Sequence, residues 1–419
     1  MTSTLLTGIS ELWTLDPALE EPGERGAAPG QVLHDAALVV EEGRVAWTGP
    51  AATAPAADRR EDLGGRAVLP GWVDSHTHLV FDGDRAAEFE ARMAGESYAA
   101  GGIAVTTAAT RAASDERLLA LVRSRLAEAA AGGTTTLETK TGYGLTVAEE
   151  GRAARLLDAL ARAGEIDEVT FLGAHLVPEE HAGRAEEYVD LVVGDMLQAV
   201  APHVRWIDVF CEAGAFDPEQ SARVLAAGAA AGLGLRVHGH QLGRSGGVEL
   251  AVRHRAASVD HLNHLDAGDV DALAATASLP TAPGDAPGRL AVDAGPTVAT
   301  VLPACDLSTR APLAPARALL DAGAQLAIAS NCNPGTSYTS AVAFCVATAV
   351  LQMRLTLAEA IRAATRGGAL ALRRDDVGHL GVGARADLHV LDAPAAIHLA
   401  YRPGMPLTHQ VRRAGSRLA

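Results

Sequence analysis

The run Leu69-Pro70-Gly71-Trp72-Val73-Asp74-Ser75-His76-Thr77-His78 starts apolar and ends in two histidines one residue apart. In extended backbone, residues i and i+2 project to the same side, so His76 and His78 can aim both imidazoles at a single metal ion. Such pairs also occur in ordinary surface loops. The metal reading gains weight from the polar strand ends that the rest of the chain supplies.

Outward from this run a unit repeats: an apolar strand, a polar or glycine-rich strand end, then a helical stretch. Eight such strands are predicted, ending at His76-Thr77-His78, Glu138-Thr139-Lys140, Gly173-Ala174-His175, Phe210-Cys211-Glu212, His238-Gly239-His240, Asp260-His261, Leu302-Pro303-Ala304-Cys305 and Ser330-Asn331-Cys332-Asn333. Helical spacers such as Glu116 to Ala131 and Gln220 to Ala231 separate them. Near-continuous apolar strands alternating with helices indicate a parallel sheet covered on both faces. Eight units indicate an α/β fold, a closed (β/α)8 TIM-like barrel over residues 66–380, with its chemistry at the C-terminal strand ends. An open doubly wound sheet would carry a glycine-rich phosphate turn after the first strand, where this chain has His-x-His.

Residues 1–65 read as short strands and turns, for example Ala36-Ala37-Leu38-Val39-Val40 and Arg44-Val45-Ala46-Trp47-Thr48-Gly49. Residues 381–419 return to strands, led by a turn and strand over Gly383 to Leu391. Neither piece can bury a core alone, so the two ends are expected to join in a small composite β-sandwich domain. Ala51 to Arg60 and the proline-rich Leu279 to Gly295 read as exposed loops.

The 419 residues carry a net charge of −16, which argues against a nucleic-acid-binding surface. Hydrophobic residues make up 48% and aromatics 4%, so Ala, Val and Leu must do most of the packing. Four cysteines without a CxxC pair point to a reduced, cytoplasmic setting. The N-terminus lacks the basic region and apolar run of a signal peptide, and no apolar run approaches the roughly 18 residues of a membrane span.

His238 and His261 end the fifth and sixth predicted strands and would look into the barrel mouth with His76 and His78. Three neutral imidazoles, one oxygen ligand and a water make a catalytic site for a divalent metal, which activates water near neutral pH. Any one of these histidines could be an ordinary core or surface residue; four at strand ends of one barrel are hard to dismiss. His240 reads as an outer-loop histidine, and Lys140 as a partner of Glu138 rather than a carbamylated metal bridge.

Pro70-Gly71-x-Val73-Asp74-x-His76-Thr77-His78 resembles the opening motif of the amidohydrolase superfamily. Glu138-Thr139-Lys140-Thr141-Gly142-Tyr143-Gly144-Leu145 and Asn333-Pro334-Gly335-Thr336-Ser337 together resemble the imidazolonepropionase family within it. Phe171 to His175, Asp208 to Glu212 and Asp260-His261-Leu262 follow in family order, and the resemblance covers residues 66 to about 400. It implies hydrolysis of the ring amide of 4-imidazolone-5-propionate to N-formimino-L-glutamate, in histidine breakdown, by a homodimer. His76, His78 and His238 would ligate one zinc or iron ion, with Asn331 at the position of a further ligand. Arg85, Tyr98 and Tyr143 would hold the substrate, and His175 and Gln241 would reach its ring. Asn333, Gly335 and Thr336 would shape the pocket floor, and His261 would polarise the scissile carbonyl or the water. A propionate needs a cation, and Arg85 offers a forked donor for it.

Three departures from the family stand out. Asn331 stands where the family has an aspartate that takes the proton of the attacking water; asparagine can offer an oxygen to the metal but cannot take that proton. That makes His261 the first candidate for the task. Gln241 replaces the glutamate of many relatives, and the stretch around Tyr98-Ala99-Ala100-Gly101-Gly102 is shortened. Two other readings stay open: another cyclic amidohydrolase or aminohydrolase of the superfamily, such as a deaminase, and a relative that binds an imidazolone-like ligand without turning it over.

Overall fold

Ala36, Leu38 and Val40 face one side of their strand while Ala37 and Val39 face the other, as a period of two demands. The same alternation, repeated in strands from both chain ends, builds one seven-stranded sheet. In the computed structural model, which describes residues 2–20, 25–28, 30–95 and 102–418, the sheet order is Ser416–Arg417, Thr408–Arg413, Leu388–Leu391, Arg59–Pro70, Ser3–Trp13, Val32–Glu41 and Arg44–Pro50. Leu388 pairs with Pro70 and Val390 with Val68, which ties the C-terminal tail to the strand leading into the barrel. The far edge strand returns to the same tail: Val45 N–H donates to the Ala384 carbonyl, and Gly383 N–H to that of Val45. The sheet thereby wraps a core of Leu6, Ile9, Leu12, Leu38, Val68, Leu388 and Val390 drawn from both ends of the chain. Ala51–Arg60 is largely exposed, whereas Leu279–Gly295 is exposed only in part: Leu290 and Gly295 are buried, and Leu290 N–H donates to the Arg373 carbonyl.

At Gly71 the chain leaves this sheet for the barrel. Its eight parallel strands are Trp72–Asp74, Thr134–Lys140, Glu168–Ala174, Trp206–Cys211, Gly234–Gly239, Ser258–His261, Val298–Val301 and Leu326–Ile328, each buried throughout. The seam between first and last is stitched beyond the strands themselves. Asn331 N–H donates to the His76 carbonyl and His78 N–H to the Cys332 carbonyl, around a parallel bridge of Thr77 to Cys332. The intervening helices start where local chemistry satisfies their first N–H groups. Ser114 caps Asp115–Ala131, and an Asp217/Gln220 capping box with Pro218 in the first turn starts Pro218–Ala230.

Strand seven departs from its sequence reading. It stops at Val301, because Pro303 opens the helix Pro303–Thr309 and puts Cys305 in its first turn rather than on a strand end. At the opposite end of the barrel, buried Asp167 accepts from Arg385 (2.8 Å) and Arg413 (2.9 Å) of the tail. Burial opposes its ionisation, but these guanidinium groups prevail and hold its pKa at about 2. Among the described residues, no helix is long and apolar enough to cross a membrane.

Candidate metal centre and substrate pocket

His76, His78 and His238 meet at the C-terminal end of the barrel, all buried, with their ligand atoms within 4.8 Å of one another. His76 Nε2 lies 3.2 Å and His238 Nε2 3.5 Å from His78 Nε2. The other nitrogens explain why these three converge. His76 Nδ1 is 2.7 Å from Asp260 Oδ2, and His238 Nδ1 is 3.0 Å from Asp208 Oδ2. Placing the ring protons on the carboxylate side aims the Nε2 lone pairs of His76 and His238 at a common centre, an arrangement that is repulsive unless a cation lies between them. The donor set fits a divalent ion.

Beneath the histidines the barrel interior is ionic. Lys140 Nζ donates to Glu138 (2.8 Å) and forms an ion pair with Asp208 (3.0 Å), and Arg236 Nη2 reaches Asp260 (3.2 Å) and the Ser75 carbonyl (2.7 Å). Lys140 therefore lies between two carboxylates and serves as an ion-pair partner. Two buried cations face three buried carboxylates, a net charge of −1 that favours a cation above them. Burial opposes ionisation of Asp260, but Arg236 and Lys140 hold its carboxyl below the ordinary range. Burial pushes His76 and His78 well below the usual imidazole value, and His175 and His261 down to about 3, with neighbouring His238 adding to both of the latter. These four rings are neutral at physiological pH, which leaves their lone pairs available.

A small cavity opens above the cluster. His78 and His238 line it together with His261, Gln241 and Asn331, and Arg85, Tyr143, His175, Asn333 and Thr336 complete its polar lining. His76 lies just below, and Gly335 supports Arg85 from behind. Tyr98 lies outside the described residues. Each wall residue has a local reason for its place. Gly142 adopts φ +109°, where a Cβ would come within 2.8 Å of the Leu172 carbonyl oxygen. Buried Glu150 accepts from the N–H groups of Gly142, Gly144 and Leu145, and so presents Tyr143 inward. His175 Nδ1 bonds the Gly142 carbonyl (2.9 Å), which leaves Nε2 as an acceptor. The Asn333 amide is used up by its own loop: Oδ1 accepts from Gly335 and Thr336 N–H, and Nδ2 donates to the Asn331 carbonyl and Thr336 Oγ1. Its contribution to the cavity is shape. His240 points elsewhere, toward the His264 carbonyl (3.1 Å) and Asp269 (3.6 Å).

Residues 67–409 match the model of the amidohydrolase family. The chain belongs to that family. Among amidohydrolases it is similar to the imidazolonepropionase of Micrococcus luteus, 67% identical over 425 residues that span 100% of both chains. It is similar to the imidazolonepropionase of Saccharopolyspora erythraea too, 63% identical over 422 residues covering 100% of this chain and 99% of that one. In fold it resembles the atrazine chlorohydrolase of Arthrobacter aurescens complexed with zinc, at a TM-score of 0.71 and 19% identity over 99% of this chain and 95% of that one.

For an amidohydrolase site, the sequence reading missed the residues that act through the histidines. Asp208 and Asp260 were read only as members of motifs, and Arg236 not at all. The signal lies in strand register: Asp208 sits opposite Arg236, and both Phe210 and Asp260 sit opposite His238. Glu88, three residues after Arg85 and bonded to it, was also missed.

Proposed function

We propose that this chain hydrolyses the ring amide of 4-imidazolone-5-propionate to N-formimino-L-glutamate. The observation that carries the reading is one cavity joining a three-histidine cluster to a forked cation, Arg85, in a chain so similar to named imidazolonepropionases. His76, His78 and His238 would hold a zinc or iron ion, with the Asn331 side-chain oxygen as a further ligand. Such an ion supplies a Lewis acid and an activated water near neutral pH. Arg85 binds the propionate, backed by Tyr143 and, by family resemblance, Tyr98. His175 Nε2 accepts from a ring N–H, Gln241 hydrogen-bonds the ring, and the loop of Asn333, Gly335 and Thr336 forms the floor. His261, held neutral, faces the scissile carbonyl, where its N–H polarises the carbonyl or its unprotonated nitrogen takes the proton of the water. A cytoplasmic homodimer is the setting that goes with this reading, and four unpaired, buried thiols are in keeping with a reducing compartment.

Asn331 favours a second reading, a protein that binds an imidazolone-like ligand without turning it over, because an amide cannot serve as the base. Metal content of the purified protein, measured alongside turnover of imidazolone propionate, separates the two. Full metal with turnover supports the hydrolase. Full metal with tight binding and no turnover supports the ligand-binding reading, and cleavage of a different cyclic amide or amine in place of this one would overturn the substrate assignment.

A further inference from the structure

Arg85 is pinned on one edge only. Its Nε and Nη2 donate to the two oxygens of Glu88, each at 2.7 Å, in a fork-to-fork pair. The Arg85 side chain is 5% exposed and that of Glu88 31%, so the pair sits at the lip of the cavity with the guanidinium inside. Glu88 Oε1 also lies 3.8 Å from Arg92 Nη1, and Arg92 Nη2 donates to the Gly335 carbonyl at 3.0 Å. One carboxylate thus lies against two guanidinium groups. Among the described residues Arg85 Nη1 has no hydrogen-bond partner; it lies against Gly335 so closely that a Cβ there would stand 2.2 Å from it.

We propose that Glu88 is a positioning residue for the substrate's carboxylate. By occupying Nε and Nη2 it holds the guanidinium plane so that the Nη1 edge faces the cavity. Glu88 does not imitate the substrate, because it takes the edge the substrate does not use. The inference rests on the reading of Arg85 as the propionate's partner.

The test compares two ligands, 3-(imidazol-4-yl)propanoate and its propanamide, binding to metal-loaded wild-type protein and to Glu88→Gln by calorimetry. Wild type is expected to prefer the acid, and Glu88→Gln to lose about tenfold of that preference. Because the preference is a ratio within one preparation, partial unfolding of the variant cancels from it. If wild type shows no preference, the assignment of Arg85 to a carboxylate fails and takes this inference with it. If wild type prefers the acid and Glu88→Gln prefers it equally, or binds it more tightly, the Arg85 assignment stands and the role of Glu88 is overturned.

Discussion

Replacing Asn331 by Asp changes one atom of the side chain and adds a proton acceptor beside the histidine cluster. Asn331 is 2% exposed, lines the cavity with His238 and His261, and adopts φ +54°, a conformation open to asparagine and aspartate alike. Packing should therefore survive the change. Charge does not: the interior balance of Lys140 and Arg236 against Glu138, Asp208 and Asp260 moves from −1 to −2, which strengthens the hold on a cation and penalises the metal-free form. General-base assistance is worth about 10²–10⁴-fold, or roughly 3–5 kcal/mol. Neutral His261 already offers a nitrogen in the same cavity, so the gain belongs at the low end, about 100-fold in kcat/KM. The assay is imidazolone propionate turnover from pH 5 to 9, with metal content measured on the same preparation. A gain below about threefold at full metal occupancy would refute the reasoning, since it would mean that another group already takes the proton as well as a carboxylate can. A gain that merely follows an increase in bound metal would make residue 331 a ligand and not a base.

Three further outcomes follow from the contacts. Gly335→Ala drives a methyl into the Arg85 guanidinium, so KM for the carboxylate substrate should rise about tenfold or more while the melting temperature shifts little; an unchanged KM would disconnect Arg85 from the substrate. Asp208→Asn removes a partner of both Lys140 and His238, and is expected to weaken metal affinity about 10–100-fold and to destabilise the fold by about 3–5 kcal/mol; normal metal titration would show that the carboxylate does not orient the imidazole. His389, buried against Trp72 at 5.2 Å and bonded to Thr408 Oγ1, is pushed by burial down to about 3. The unfolded imidazole titrates near 6.5, so its contribution to stability is whole above that pH and is lost as pH falls toward 3, up to about 5 kcal/mol. Urea midpoints between pH 7.5 and 4.5 should fall more steeply for wild type than for His389→Gln, and parallel slopes would refute the assignment.

The barrel and the His76/His78 pair at its mouth were legible because each depends on a short-range pattern. An apolar run ending in a chemically distinctive residue marks a strand end, and His76 and His78 share a face by local geometry alone. The limit of that logic is visible at His238 and His240, which have the same spacing. His240 adopts φ +58°, the chain turns, and its imidazole leaves for the His264 carbonyl and Asp269. Alternation holds only while the backbone stays extended, and nothing in His-Gly-His announces where extension ends. The pair of Lys140 with Glu138 was readable for the same local reason, whereas its contact with Asp208 comes from a strand two positions around the barrel.

That difference bears on function. The interior of an eight-stranded barrel is commonly filled by branched aliphatic side chains. This one stacks Glu138, Lys140, Asp208, Arg236 and Asp260 directly beneath the histidines. Burying such charges costs several kcal/mol per ion even when they are paired, so the layer is a poor source of stability. What it does supply is orientation: Asp260 and Asp208 lie against the Nδ1 atoms of His76 and His238, while, against burial, Arg236 and Lys140 hold the Asp260 carboxyl below its ordinary range, and His238 and Lys140 do so for Asp208. The histidines alone would be three neutral rings with six possible protonation sites. With the ionic layer below them, two of the three rings are committed to presenting Nε2 upward, and the site is ready for a cation before one arrives.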